Sequence, residues 1–326
     1  MAEPLSPRSD LRLPALGYGA ANIGNLFRAL TDDEAHEVLD AAWNAGVRYF
    51  DTAPHYGLGW SERRLGDFLR TKPRDEFVVS TKVGRLLVPN PEGADELDLD
   101  NDFHVPAVVK RAWAYTADGI RRSIDESLER MGLDRIDLAY MHDPDRSPSP
   151  EASLDEGTIA LDALKREGVI RAAGVGSMDT AILARGAASG GLDALMVAGR
   201  LTLLEQPALD EVVPAAERTG TGIVTASVFN SGLLARDRPD ANARYEYGQA
   251  PSEVLDKAVR IADVCRAHGV PLPAAALQYT RRIGPVASVV AGSSRPQQIR
   301  QNAEWMRLEI PEALWAELAA SGLIPR

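Results

Sequence analysis

Residues 49–82, "YFDTAPHYGLGWSERRLGDFLRTKPRDEFVVSTK", read as strand, turn, helix and strand. The first apolar run closes on a carboxylate, Asp51, and the second, "EFVVSTK", closes on an ammonium, Lys82. Between them "TAPHYGLG" carries Pro54, Gly57 and Gly59, residues that suit a tight turn, and Ser61 to Leu69 reads as a helix. The alternation runs outward in both directions. Upstream lies a strand, Ala15 to Ala20, that ends in glycines. A helix follows, opened by Thr31 as cap with Glu34 three residues on, and with Val38, Leu39, Ala42 and Trp43 on one face. Downstream come helix 117–131 with strand "IDLAYMH", helix 151–167 with "IRAAGVG", helix 179–189 with "ALMVAG" and helix 208–219 with "GIVTAS". Helix 252–267, a short helix from Pro273 and strand "VASVVAG" close the series.

Continuous apolar strands, nearly all followed by a helix, signal a parallel sheet covered by helices. Eight such units predict an α/β fold of the closed (β/α)8 TIM-barrel type, one domain over residues 1–326 with long loops at the C-terminal face. Two packed open sheets would want a linker, and no Gly/Ser/Pro-rich seam divides the chain. Two segments interrupt the rhythm: 86–116, with "VPNPEGADELDLDNDFHVP", and 235–252, "ARDRPDANARYEYGQAPS". Both leave the carboxyl ends of strands, where barrel enzymes build their sites, and both are expected to act as lids or binding loops.

The formal charge of −11 argues against nucleic acid or an anionic membrane as partner, because the mean field repels both. A single cysteine, Cys265, leaves no disulfide framework and no thiolate cluster for zinc. The start "MAEPLSPRSD" lacks a secretory pattern, and no segment has the roughly 18 apolar residues of a membrane helix, so the protein reads as cytoplasmic.

Four ionisable groups converge on one barrel mouth. Asp51, Lys82 and His142 are the last residues of successive strands, and the turn throws Tyr56 back over the same rim. Taken singly, each has an ordinary structural reading: a turn-forming aspartate, a solvated lysine, a satisfied histidine. Together they suit proton transfer through a phenol. A tyrosine pKa near 10 is too high for general-base work at neutral pH; a nearby ammonium stabilises the phenolate, and a carboxylate reduces the cost of burying that ammonium. On this reading Asp51 holds Lys82, Lys82 tunes Tyr56, and His142 orients the substrate oxygen. His55 is expected to point elsewhere, and Asp143 and Asp145 to flank a turn proline. No metal is expected. A hydrolase using Asp/His and a divalent ion remains as an alternative, while a G-x-S-x-G elbow is missing.

"YFDTAPHYGLGWSERRLGDFL", "VVSTKVG" and "LAYMHDPD", in this order, resemble the aldo-keto reductase family, NAD(P)-dependent oxidoreductases on a (β/α)8 barrel. The likeness extends over nearly the whole chain. It implies that Asp51, Tyr56, Lys82 and His142 form the catalytic tetrad, with Tyr56 as proton donor or acceptor. "GYGAANIG" lacks the dinucleotide fingerprint, so Gly19 reads as a close approach near the nicotinamide. "VVAGSSRPQQIRQNAEW" offers Gly292, Ser293 and Ser294 and then a helix start that favours an anion. The resemblance matches this segment to the family's adenosine-phosphate motif, with Arg295 as the strong cation and Gln298, Gln301 and Asn302 nearby. Many members have lysine at the Gly292 position and arginine at the Gln298 position, so NADP or NAD is the expected cofactor. Ser177, together with Phe229, Ser231, Gly232 and Leu233 of "FNSGLLA", falls on the nicotinamide side, where Gly176-Ser177 replaces the usual Ser-Asn and Ala226 the usual stacking tyrosine.

"HDPD", "VAGRLTLLEQPAL" and "FNSGLLA" further resemble the L-fucose dehydrogenase subgroup, which oxidises the anomeric carbon of an aldose such as L-fucose or L-galactose to the lactone. The implied partner is a small sugar, held by Tyr56, His142, Trp60 and Arg200 in a monomer or homodimer. Within enzymes the alternatives are pyridoxal 4-dehydrogenation and small-aldehyde reduction. Outside them stands a non-catalytic nucleotide-sensing barrel, which loss of a tetrad member would have favoured.

Overall fold

The computed structural model describes residues 3–240, 243–246 and 248–325. Eight parallel strands close a barrel: β1 (Leu16–Gly19), β2 (Tyr49–Asp51), β3 (Val78–Val83), β4 (Leu138–His142), β5 (Ala172–Ser177), β6 (Ala194–Ala198), β7 (Gly222–Ala226) and β8 (Val286–Ala291). They pair in chain order, and β8 returns to β1 with Val290 beside Gly17. Helices α1 (Asp32–Asn44), α2 (Trp60–Leu69), α3 (Ala117–Met131), α4 (Pro150–Arg166), α5 (Thr180–Ala188), α6 (Val212–Thr219), α7 (Ser252–Ala267), α8 (Leu272–Tyr279), α9 (Pro296–Trp305) and α10 (Glu312–Ala320) accompany them. The predicted capping box of α1 is formed: Glu34 N–H donates to the Thr31 hydroxyl, and the Glu34 carboxylate accepts from Thr31 N–H. The expected helix 208–219 is split into a 3-10 turn at Pro207–Leu209 and a helix beginning at Val212. Pro214 then sits in the first helical turn, where a missing N–H costs no bond.

The period of two within each strand separates two environments. Phe50, Val79, Val83, Ala139 and Met141 face outward into the apolar layer under the helices. Tyr49 and Asp51, Ser80 and Lys82, and Tyr140 and His142 occupy the alternate positions and turn inward, with Asp51 in register with Ser80 and Lys82 with Tyr140. This side of the barrel interior is therefore polar by construction.

Two features of the fold were not anticipated. An antiparallel hairpin, Glu3–Ser6 with Ser9–Leu13, plugs the amino-terminal end of the barrel. Its Leu5, Leu11 and Leu13 are buried against Tyr49, Leu138, Tyr140 and Val224. The second is a β-ribbon, Arg85–Pro89 paired with Val109–Trp113, inside the segment expected to be a loop after β3. In the segment after β7 only a two-residue pairing, Arg244–Tyr245 with Gly248–Gln249, is formed; residues 241, 242 and 247 of that expected loop lie outside the described residues. Among the described residues no helix is long and apolar enough to cross a membrane.

Helix α2 follows the tyrosine turn directly and is seated on α3 through Gly66. A Cβ at Gly66 would lie 2.1 Å from the carbonyl oxygen of Met131 and 2.4 Å from its Cα. Alanine is favoured over glycine in a helix by about 1 kcal/mol, but a clash with backbone cannot be relieved by a rotamer change. The clash dominates, so Gly66→Ala is expected to lower stability by about 2–3 kcal/mol, read as an earlier urea midpoint; a stabilised variant would show that the α2–α3 contact is looser than this.

Candidate active site

Asp51 and Lys82 form the centre of the site. Lys82 Nζ donates to Asp51 Oδ2 at 2.7 Å and to the carbonyl oxygen of Thr52 at 3.1 Å, and both side chains are about 3% exposed. The Ser80 hydroxyl donates to Asp51 Oδ1 at 2.8 Å and shares a 3.1 Å bond with the Tyr49 hydroxyl. Tyr49 in turn lies 3.4 Å from the Tyr140 hydroxyl. A chain of polar groups thus runs from the barrel interior to the mouth.

The Tyr56 turn is pinned from below and from the side. Thr52 shares a 2.8 Å bond with Ser61, whose hydroxyl donates to the Ala20 carbonyl at 2.8 Å. Gly57, at φ 60°, packs so closely on Gly24 that a Cβ would sit 2.1 Å from the Gly24 oxygen. Only glycine fits this approach, and it fixes the residue beside it. The Tyr56 ring then lies 4.6 Å from Lys82 Nζ and edge-on to His142, with centroids 5.8 Å apart. Burial is the largest influence on the Tyr56 hydroxyl and raises its pKa, while the Lys82 charge is the largest influence opposing it. The net shift is upward. The lysine offsets the burial of the phenol rather than outweighing it, a weaker tuning than the sequence reading expected. Lys82 itself is held charged: burial is the largest single influence and lowers its pKa, but Asp51 and Tyr56 together outweigh it.

His142 is 7% exposed, and its Nδ1 has no hydrogen-bond partner. His55, expected to point away, lines the same cavity, with its ring 5.3 Å from that of His142. Three arginines surround the pair. Arg85 reaches His55 Nδ1 at 3.3 Å and donates to Asp143 Oδ2 at 2.5 Å. Arg111 holds both oxygens of Asp98, at 2.8 and 2.6 Å, and the His55 carbonyl at 2.8 Å. Arg146 lines the cavity beside them. Burial first, then this positive field and Lys82, push both imidazoles well below their ordinary pKa, so both are neutral at pH 7. Sequence reasoning missed Arg85 and Arg111 as parts of the site. The signal available for Asp143 was its place next to His142 in "HDPD".

The cavity has a volume of about 740 Å³ and runs from these residues across the mouth to β8. Gly19, Ser177, Phe229, Ser231, Gly232 and Leu233 line it, as do Gly292, Ser293, Ser294 and Gln298 at the far end. The Ser177 hydroxyl donates to Asp145 at 2.5 Å, and Ser293 to the Gln298 amide oxygen at 2.6 Å. Asn101, Asp102 and Phe103, at the tip of the ribbon segment, form part of its roof. Other expected residues are not brought to it. Trp60 packs in the cluster of Leu58, Phe103 and Val105 with Arg64 over its ring at 4.9 Å. Arg200 pairs with Glu246 at 2.6 Å and anchors the segment after β7. Arg295 faces a separate groove between α1 and α9, and Gln301 and Asn302 lie further along α9, away from the wall. A cation that sequence reading overlooked, Arg28, instead donates to the Ser294 carbonyl at 3.1 Å. Among the described residues no group of three or more His, Cys, Asp or Glu side chains is arranged to hold a metal ion.

A carboxylate–ammonium pair behind a phenol and a neutral imidazole, at the C-terminal mouth of a (β/α)8 barrel, is an arrangement suited to acid–base chemistry on a carbonyl or alcohol. The chain belongs to the aldo/keto reductase family, which it matches over residues 15–322. It is 61% identical to a D-threo-aldose 1-dehydrogenase of a Pseudomonas species over 99% of this chain and 98% of that protein. It is 37% identical to a pyridoxal 4-dehydrogenase of Microbacterium luteolum, covering 97% and 96% of the two chains. A glycerol dehydrogenase structure from Gluconobacter oxydans, at 23% identity, superimposes with a TM-score of 0.76 over 98% of this chain and 96% of its own, a likeness of fold.

The neutral histidines have a consequence for stability. The unfolded chain takes up protons on His142 near pH 6.5, whereas folding holds its pKa below that. Between the two values the unfolded state binds more protons, so stability falls as pH drops below 6.5 and is level above it. Urea midpoints at pH 7.5 and 5.5 should differ, His142 contributing on the order of 1 kcal/mol. His142→Gln should reduce the slope, His55 keeping its own share; an undiminished slope would mean the His142 imidazole is already protonated in the fold.

Proposed function

We propose that the protein is a nicotinamide-dependent aldose 1-dehydrogenase that converts the cyclic sugar to its lactone, with Tyr56 as the group that takes the C1-hydroxyl proton. The observation that carries this reading is Lys82 Nζ, held by Asp51, 4.6 Å from the centre of the Tyr56 ring, at one end of a cavity of about 740 Å³ that runs across the mouth to β8. The Pseudomonas relative named for this reaction supports the substrate class.

The cavity fits the cofactor. Its far end offers the Ser293 and Ser294 hydroxyls at the start of α9, and its near wall Gly19, Ser177 and Phe229. When bound, the nicotinamide supplies the acceptor for the hydride that leaves C1. The residues of the chain do the rest. Tyr56 as phenolate accepts the proton from the anomeric oxygen as the C1–O double bond forms. Lys82 limits the cost of that phenolate, and Asp51 keeps Lys82 charged and in place. His142, neutral and edge-on to Tyr56, orients the anomeric oxygen. Pyridoxal or a small aldehyde would want a flatter, more aromatic wall than Asp143 and Arg146 provide.

Tyr56→Phe removes the proton acceptor without removing a cofactor contact. The expected result is a loss of kcat/KM of about 10²–10⁴-fold on the best aldose, with cofactor Kd nearly unchanged. A variant retaining a tenth of the wild-type value would exclude Tyr56 as the principal base. A panel of aldoses read by nicotinamide absorbance tests the substrate class directly.

The cofactor is proposed to be NADP or NAD, with a modest preference for NADP. Arg28 donates to the Ser294 carbonyl, and Arg295, next in the chain after Ser294, lines the adjoining groove; both are exposed, so any charge-assisted contact to a 2'-phosphate is screened. Replacing either by alanine should weaken NADP about tenfold and NAD little. Equal weakening of both cofactors would assign the arginines to shaping the loop, and would remove the basis for the NADP preference.

A further inference from the structure

We propose that Asp143 is a specificity-determining residue of the aldose site, accepting a hydrogen bond from the hydroxyl on C2, next to the reacting carbon. This rests on the aldose reading above.

Four observations carry it. First, Asp143 follows the last residue of β4 and turns back over the barrel mouth with φ 48°, a left-handed conformation that a residue with a Cβ adopts only at a cost. Its N–H donates to the Gly176 carbonyl at 2.9 Å, which holds the turn in place. Second, the carboxylate lines the cavity, and only Oδ2 is engaged, by Arg85 at 2.5 Å; among the described residues Oδ1 receives no hydrogen bond. Third, Arg85 is itself 7% exposed and stacked on Trp113 at 4.6 Å, so the carboxylate is held on a rigid support. Fourth, Oδ2 lies 3.8 Å from His142 Nε2, while His142 Nδ1 has no partner.

Vicinal hydroxyl oxygens of a sugar lie about one hydrogen-bond length apart. If O1 sits between Tyr56 and His142, the C2 hydroxyl is carried toward the group one such length beyond His142, which is Asp143. An ionised carboxylate is an acceptor only, and the hydroxyl is a donor that must find a partner once desolvated. Burial raises the pKa of Asp143, and the Arg85 guanidinium, the largest influence opposing it, limits that rise. The pair therefore presents a strong acceptor to the ligand without leaving an unpaired charge in the wall. A site built to bind a hydroxyl discriminates sharply against the analogue that lacks it, because its own acceptor is then stranded.

The test compares L-fucose with 2-deoxy-L-fucose in the wild type and in Asp143→Asn. Asparagine tolerates the left-handed backbone, so the substitution respects the turn. The wild type is expected to prefer L-fucose by at least thirtyfold in kcat/KM. In Asp143→Asn the preference should fall below fivefold, because the loss of kcat/KM is larger on L-fucose than on the deoxy sugar. Titration of L-fucose onto the NADH-loaded enzyme should show Kd raised at least tenfold, and NADH affinity unchanged. The inductive effect of the C2 hydroxyl on C1 is common to both proteins and cancels in the comparison of ratios. No preference in the wild type overturns the proposal without any variant. Equal losses on both sugars, or an altered pH profile with unchanged L-fucose Kd, overturn it too and make Asp143 a positioning residue for His142. A wild type that oxidises a broad panel of aldoses not at all removes the aldose reading itself, and this inference with it.

Discussion

The buried ion pair between Asp51 and Lys82 is the constraint around which the mouth of the barrel is arranged. Two unit charges about 3% exposed are expensive to desolvate, and removing one partner of such a pair costs about 3–5 kcal/mol. The structure answers this cost with hydrogen bonds: Ser80 to the free carboxylate oxygen and the Thr52 carbonyl to the ammonium. Those bonds require Ser80 two residues before Lys82 on one strand and Thr52 directly after Asp51 on the next. The register between β2 and β3 is therefore fixed by electrostatics as well as by apolar packing. A shift of either strand by one residue would turn its own charge into the outer layer with Phe50 and Val79 and break the pair.

In the proposed reaction the positive field around the mouth divides the work between Tyr56 and His142. An imidazolium next to the substrate oxygen would compete with Tyr56 for proton exchange with that oxygen. Burial, Arg85, Lys82 and Arg111 all oppose charging of His142, so it stays neutral. A neutral imidazole positions an oxygen without transferring charge, which leaves Tyr56 as the group that changes protonation in the proposed reaction. Arg85 and Arg111 are themselves balanced by Asp143 and Asp98, so the field is local.

Much of this was legible in the sequence because it rests on strand ends. Asp51, Lys82 and His142 each close an apolar run, and a parallel barrel brings the ends of neighbouring runs together whatever the loops do. Tyr56 was legible because Pro54, Gly57 and Gly59 leave the turn few paths. What escaped notice depends on partners far apart in the chain. The ribbon 85–113 looks like an acidic loop because its charges are complementary to one another, Asp98 with Arg111, rather than to solvent. The amino-terminal hairpin has only three inward leucines, too short a pattern to register as a strand pair. Trp60 and Arg200 have the right chemistry for a sugar, but Arg64 and Glu246 claim them first. His55 was set aside as the neighbour of Tyr56 in sequence; the eight residues 52–59 between Asp51 and α2 have no simple alternation, so adjacent residues can face one cavity.

The two ends of the cavity share one anchor. Arg64, 8% exposed on α2, donates to the carbonyls of Ile23 and Leu30 and to the Asn25 amide oxygen, each at 2.7–2.8 Å. It folds the segment after β1 into a fixed shape. From that segment Arg28 reaches Ser294 at the proposed cofactor end, while Asn25 Nδ2 donates to the His104 carbonyl at 3.1 Å. Phe27 N–H donates to the Asp102 carbonyl at 2.8 Å, so the ribbon tip that roofs the proposed sugar end hangs on the same few residues. A displacement of the ribbon tip must therefore be transmitted to Arg28, or else break backbone hydrogen bonds that Arg64 holds in place. Because α2 begins immediately after the Tyr56 turn, Arg64 also ties this anchor to the acid–base centre. The proposed cofactor rim, the proposed sugar roof and the Tyr56 turn thus share one anchor, although no single stretch of the sequence contains all three.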